Sequence, residues 1–426
     1  MVITMHRMPT PGVPNLREKP MTEATNDTRP ETIVFGAFDR HNFGDMLFAH
    51  VLAKMLPDRP LRFAGLRERD LRPYGGHFVE AISTLAASCG DQTIDIVHAG
   101  GELLTCDAWE AAIMLAPADQ VEAMINEYPA WAQKPAEWAR LHLGVHARAP
   151  YVLSKAHCPA ARRIVFNAVG GVDLEQLDPI MFAEVADALR QADHITVRDA
   201  FTQRRLDIAG VATRLLPDPA VMVAELFGDV IRDHAACEAF CALRDACPNG
   251  YLAVQFSADF GDDRTLDEIA VQLDIVAAQH GLGVVFFCAG IAPWHDNVEI
   301  YERTRQLMRT QSAYIMTSPH IWDICALIAN SRAYCGSSLH ARIVAAAFAL
   351  PRVNIRHPAR LTMQSKQTEF ASTWEDADVP GEVSVNQIIR GVENALRIEH
   401  EKLRRIASAL VSEYQAGFPR VASLSR

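Results

Sequence analysis

Hydrophobic positions along the chain fall into two kinds of run. Short stretches that are apolar or β-branched at nearly every position occupy residues 32–37, 61–64, 94–98, 163–168, 194–197 and 214–216. A second series follows at 251–256, 283–288, 314–316, 333–335 and 352–355. Between them, residues 44–56, 179–191, 266–280 and 322–330 carry apolar side chains at helical spacing. Unalternated apolar strands separated by amphipathic helices predict parallel sheets covered on both faces. Two such series predict an α/β protein of two Rossmann-like, doubly wound domains facing a cleft. Ligands of such sheets bind at the carboxyl ends of the strands.

The pattern also sets boundaries. Residues 1–30, interrupted by Pro9, Pro11, Pro14, Pro20 and Pro30 and lacking an apolar core, read as a disordered leader and not a secretory signal. Residues 31–225 form the first domain, with a helical insertion near 107–157, and residues 226–382 the second. The crossing lies near 220–237, after Leu216-Pro217-Asp218-Pro219-Ala220. Residues 383–426 form a helical segment, almost continuously helical over 383–414, where Ile388, Val392, Leu396, Leu403, Ile406 and Leu410 share one face.

Composition narrows the partners. With 41 Lys+Arg against 52 Asp+Glu the net charge is −11, a poor match for nucleic-acid binding. No apolar run reaches the roughly 18–20 residues of a membrane span; the stretch 343–350 stops at Pro351. Nine scattered cysteines, an odd number, point to a reducing cytoplasm. His234, Cys237, Cys241 and Cys247 cluster, but their spacing matches no paired zinc knuckle, so buried thiols are the expectation and no metal is predicted.

Four strand-to-helix junctions carry candidate chemistry. His41-Asn42-Phe43-Gly44-Asp45 opens a helix whose first N–H groups can hold an oxygen, or are simply capped by Asn42 or Asp45. His98-Ala99-Gly100-Gly101-Glu102 ends a strand in paired glycines that admit a ligand close to the backbone. Val197-Arg198-Asp199 places a guanidinium at a strand end, suited to a carboxylate or phosphate. Gly336-Ser337-Ser338-Leu339-His340-Ala341-Arg342 precedes an apolar helix and predicts a polar nest at its N-terminus, with His340 reaching into the cleft. Pro293-Trp294-His295-Asp296 follows a buried strand and can line the same cleft.

Taken in order, Asn42-x-Gly44-Asp45, Gly100-Gly101-Glu102-Leu103-Leu104, Val197-Arg198-Asp199, Pro217-Asp218-Pro219-Ala220 and Leu339-His340-Ala341 resemble the motifs of the polysaccharide pyruvyl transferase family. The resemblance spans roughly residues 31–370. It implies a two-domain fold similar to the B-type glycosyltransferases. It also implies a cytoplasmic enzyme that moves pyruvate from phosphoenolpyruvate to saccharide hydroxyls, forming a ketal in surface or exopolysaccharide biosynthesis. The acceptor would be free or lipid-linked, the latter holding the enzyme peripherally at the inner membrane face. Phosphoenolpyruvate is then a co-substrate, and no cofactor is expected. By this likeness His340 is the acid–base residue, and Arg198 anchors the donor and stabilises developing charge. Gly336, Ser337, Ser338, Leu339 and Arg342 bind the donor; Asn42, Gly44, Asp45, Gly100, Gly101, Glu102 and His295 line the acceptor side. Where family members carry an Arg before the Leu-His pair, this chain has Ser338. A nucleotide-sugar glycosyltransferase and a catalytically impaired carbohydrate-binding member stand as alternatives.

Overall fold

The computed structural model describes residues 2–3, 30–88, 93–360 and 363–422. Apart from Val2–Ile3 and Pro30, the predicted leader lies outside the described residues. The strands are β1 (Val2–Ile3), β2 (Glu31–Phe35), β3 (Leu61–Gly65), β4 (Arg69–Asp70), β5 (Phe78–Ala81), β6 (Ile94–His98), β7 (Ala161–Val169), β8 (His194–Val197) and β9 (Arg214–Leu215). In the second half come β10 (Tyr251–Gln255), β11 (Gly283–Phe287), β12 (Ala313–Met316), β13 (Ala333–Gly336), β14 (Arg352–Arg356) and β15 (Glu382–Ser384). Six helices position the site: α1 (Phe43–Met55), α2 (Val223–Ala235), α3 (Ile321–Ala329), α4 (Leu339–Ala347), α5 (Lys366–Trp374) and α6 (His400–Ala422).

These strands assemble into two sheets. The first runs β4-β5-β3-β2-β6-β7-β8-β9, parallel except for the β4–β5 pair; the second runs β1-β12-β11-β10-β13-β14-β15 and is parallel throughout. Every residue of β6, β10 and β11 is buried; β11 is apolar throughout, while β6 carries Asp95 and His98 and β10 carries Gln255 among apolar neighbours. The order reverses between β2 and β6 in one sheet and between β10 and β13 in the other. At each reversal neighbouring connections leave in opposite directions and open a crevice at the strands' carboxyl ends. The fold is thus two doubly wound parallel sheets whose crevices face one another.

The segment between β6 and β7 is helical as expected, with helices Ala108–Leu115, Val121–Glu127 and Pro135–Leu143 packed around buried Trp138. The C-terminal segment, read as almost continuously helical over 383–414, opens on a strand: Val383 lies in β15, paired with Ile355 at the edge of the second sheet. The helix Ile388–Leu396 then ends before α6 begins. Isolated β-branched residues beside an open sheet edge favour the strand over the helix.

Helix α6 crosses back onto the first half. Tyr414, wholly buried, accepts a hydrogen bond of 3.1 Å from Asn167 Nδ2 on β7, and Gly417 lies against Leu216. Tyr414→Phe keeps the ring but removes that bond. It is expected to lower unfolding free energy by about 1 kcal/mol, read from denaturant unfolding.

Candidate active site

The two crevices are closed on each other by backbone. Phe43 N donates to Ala289 O at 2.9 Å and Ile291 N to His41 O at 3.2 Å, so the loop after β2 is bonded to the loop after β11. Between them lies a cavity of about 510 Å³, lined among others by Asn42, Glu102, His295, Ser337, Ser338 and His340.

Each wall has a local cause. Asn42 caps α1, its Oδ1 accepting from Gly44 N at 3.2 Å, while its Nδ2 donates to His295 Nε2 at 3.3 Å across the cleft. Gly44 has no side chain because His340 fills that space: a Cβ there would overlap the imidazole. Phe48 meets the same ring edge-on at 5.2 Å. After β6 the chain turns through Gly100 (φ 119°) and Gly101 (φ 89°), conformations that residues with a Cβ rarely adopt. A Cβ on Gly101 would lie 3.2 Å from the Asp45 carboxylate. That turn presents Glu102, which accepts from Val172 N at 2.8 Å and pairs with Arg198.

Arg198 and His340, from opposite halves, do converge, but on the protein's own carboxylate. Asp218 Oδ2 stands 3.5 Å from Arg198 Nη1 and 3.8 Å from His340 Nε2. Arg198 is 1% exposed and does not line the cavity, so it stands behind the wall and not against a donor as expected. The reason is charge: a guanidinium this deep is kept ionised by Glu102, Asp218, Asp199 and Asp45.

Arg342 is a second correction. It is fully buried, pairs with Glu375 and donates to Asn354 Oδ1 at 3.2 Å and Pro380 O at 2.9 Å. Two positions along an α-helix rotate a side chain by about 200°, so when His340 faces the cleft Arg342 faces away from it. The serine nest is also partly spent. Ser337 N and Ser338 N donate to Gln255, and Ser338 Oγ caps Ala341 N at 3.2 Å. Among the described residues, nothing accepts from the N–H groups of Leu339 and His340 at the start of α4. Gly336 lies beneath, against the Gln255 carbonyl.

The electrostatics separate the titratable groups. Burial, with Arg198 and Lys366, holds the His340 imidazole well below its ordinary value, so it is neutral at pH 7, not poised near it. Its Nε2 is buried with no hydrogen-bond partner among the described residues. Burial raises Asp218 to about 6 against the pull of Arg198, and raises Asp296 to about 7 against hydrogen bonds from Ala289 N and Gln255. His295 is pushed down to about 4 by burial and Arg40.

Asp296 lines the cavity together with His295, while other lining residues were not anticipated: Gln255 and, above all, the basic residues at and after the end of β14, Arg356, Arg360 and Lys366. Lys366 opens α5, capped by Ser365 Oγ, and its charge reaches His340, His295, Asp45 and Asp173. The readable signal was three basic residues placed just past a strand's carboxyl end.

The polysaccharide pyruvyl transferase family model matches residues 42–358, most of the chain and all four junctions. The protein belongs to that family. Among solved structures, S. aureus MnaA with UDP is similar over 89% of this chain and 91% of its own, at 10% identity and a TM-score of 0.52. Two structures of the UDP-GlcNAc 2-epimerase of Methanocaldococcus jannaschii, one of them in complex with UDP-GlcNAc and UDP, each cover 90% of this chain and 99% of their own; identity is 9% and, for the complex, 10%, TM-score 0.52 and 0.50. At such identity the likeness is one of fold, that of the B-type glycosyltransferases. No curated protein matches the sequence. None of the helices is long and apolar enough to cross a membrane, among the described residues.

For this pyruvyl transferase family member, Gly44→Ala tests the packing on His340. The added methyl must displace the imidazole, with an expected loss of about 1–3 kcal/mol of stability by chemical denaturation.

Proposed function

We propose that the protein transfers pyruvate from phosphoenolpyruvate to two hydroxyls of a saccharide, giving a cyclic ketal and inorganic phosphate in surface-polysaccharide synthesis. What carries the reading is the buried, unbonded Nε2 of a neutral His340 beside a cavity that Arg356, Arg360 and Lys366 also line. The N–H groups of Leu339 and His340, the helix dipole behind them and the Lys366 ammonium suit a phosphate and carboxylate. Lys366 thereby supplies the cation that Ser338 cannot.

The chemistry then divides by protonation state. Asp296, still half protonated near pH 7, delivers a proton to C3 of the enol and C2 becomes electrophilic. One acceptor hydroxyl bonds to C2 and gives its proton to His340 Nε2. The C2–O bond to phosphate breaks, inorganic phosphate leaves with the proton held by His340, and the second hydroxyl closes the ring, its proton returning to the Asp296 carboxylate. Arg198 acts through Asp218, holding the carboxylate that faces the imidazole, and is a positioning residue. At the mouth Trp294, 46% exposed and 5.0 Å from Trp109, offers a saccharide an apolar face. No step uses a metal or an organic cofactor. A lipid-linked acceptor would bring the protein to the cytoplasmic membrane face.

The test is phosphate release from phosphoenolpyruvate in the presence of an oligosaccharide panel. Release of a nucleoside diphosphate from a nucleotide sugar would replace this reading with the glycosyltransferase one, and saccharide binding without turnover of either donor with the carbohydrate-binding one. Lys366→Ala should raise KM for phosphoenolpyruvate about 10–100-fold, the weight of one charge-assisted contact, while Lys366→Arg retains most of the affinity. Because the Asp296 acid form is lost as pH rises past about 7 while His340 stays neutral, kcat/KM should fall about tenfold per pH unit above that point. Asp296→Asn should be slower by about 100-fold or more and show no such limb.

A further inference from the structure

Away from the cleft, three side chains capable of binding a metal come together where α2 runs along α3. His234 lies in the last turn of α2, His320 is the residue before α3, and Asp323 sits in its first turn. One ligand atom from each lies within 4.8 Å of the others, and among the described residues no other such group is found. We propose that His234, His320 and Asp323 bind one divalent ion of the zinc class, with water completing the tetrahedron.

Three observations carry this. Two imidazoles and one carboxylate are a donor set that suits zinc. The carboxylate is held by a partner outside the triad: Ser318 Oγ donates to Asp323 Oδ2 at 2.5 Å, leaving Oδ1 toward His234 Nδ1 at 2.6 Å. Such outer hydrogen bonds orient ligands in metal sites. The two rings stack at 4.9 Å and 21°, an arrangement that two imidazolium cations would oppose and one shared cation would satisfy. A tetrahedral ion needs ligand atoms about 3.3 Å apart, so loading draws His320 in and parts His234 from Asp323 by side-chain rotation. The cation would also meet the carbonyl end of α2, where the helix dipole favours it.

The cysteines weighed with His234 are not in this group. Cys237 and Cys241 are exposed and Cys247 is buried. The three ligands do not line the cavity either, so the ion would fasten α2 to α3 and take no part in the reaction. The adjoining loop is tied to the first half, where His41 Nε2 meets Pro319 O at 2.6 Å.

The full-length protein, dialysed against chelator, is titrated with zinc chloride by calorimetry and with cobalt(II) by visible absorption. One ion per chain is expected, together with cobalt d–d bands, no sulfur charge-transfer band and a raised melting temperature. His234→Gln and His320→Gln should each abolish stoichiometric binding, Ser318→Ala should weaken it about tenfold, and Cys237→Ser/Cys241→Ser should leave it unchanged. The proposal is overturned if the wild type takes up no ion, if His320→Gln still binds one, or if a thiolate charge-transfer band shows that cysteine holds it. The wild-type cobalt spectrum decides even where a variant fails to fold. Neither readout involves phosphoenolpyruvate or saccharide, so the outcome stands apart from the proposed reaction.

Discussion

A single buried oxygen, Asp218 Oδ2, stands between the guanidinium of one half and the imidazole of the other, and the arrangement of the cleft follows from keeping it there. An isolated carboxylate at this depth would cost several kcal/mol, and its pKa near 6 records part of that cost. Arg198 compensates it, but a fully buried guanidinium needs more than one counter-charge, and Glu102 supplies the next. Glu102 in turn reaches inward only because the chain turns through Gly100 and Gly101. Asp218 is itself fixed between two prolines, its Oδ1 accepting from Ala220 N at 3.0 Å. Removing any member leaves a charge buried without its partner, which is the costly direction for such networks.

The position of this network is set by the sheets. Each reverses its strand order once, and the four strands flanking the reversals are β2, β6, β10 and β13. Their following loops carry Asn42, Glu102, Ser257 and Ser337, all of which line the cavity. The site is therefore where parallel topology leaves helices out of the way and strand-end N–H groups unpaired. Backbone bonds between the loops after β2 and β11 hold the halves at a spacing that no side chain alone would fix.

The architecture was legible because buried parallel strands leave short, mostly apolar runs: the stretch at 94–98 coincides with β6, and that at 251–256 contains β10. Short edge strands such as β4 and β15 were not, since an exposed or half-buried strand of two or three residues carries too few positions to show a period. In the site, paired glycines and the Ser-Ser-Leu-His turn announced themselves through their place at strand ends. Arg342 was misplaced because proximity in sequence to His340 says nothing of helical face, and its destination, Glu375, lies 33 residues on. Arg198 was correctly brought to the cleft but not to its surface, because the two carboxylates that enclose it come from positions 96 and 20 residues away. Lys366 was missed because three basic residues spread over 356–366 read as surface charge until the fold brings the start of α5 to the cavity.

Two cations, Arg198 and Lys366, add to burial in disfavouring the His340 imidazolium. A donor phosphate bound at the start of α4 would reverse the sign of that field. One unit of negative charge about 4 Å away at an effective dielectric of 20 is worth about 4 kcal/mol, or about three pKa units. Binding of the proposed trianionic donor would therefore make the imidazole a competent proton acceptor at the stage when a hydroxyl must lose its proton. Before binding, the same cations keep it from being protonated by solvent. On the proposed reaction, the cluster built to satisfy Asp218 doubles as the device that reserves the base for the occupied site.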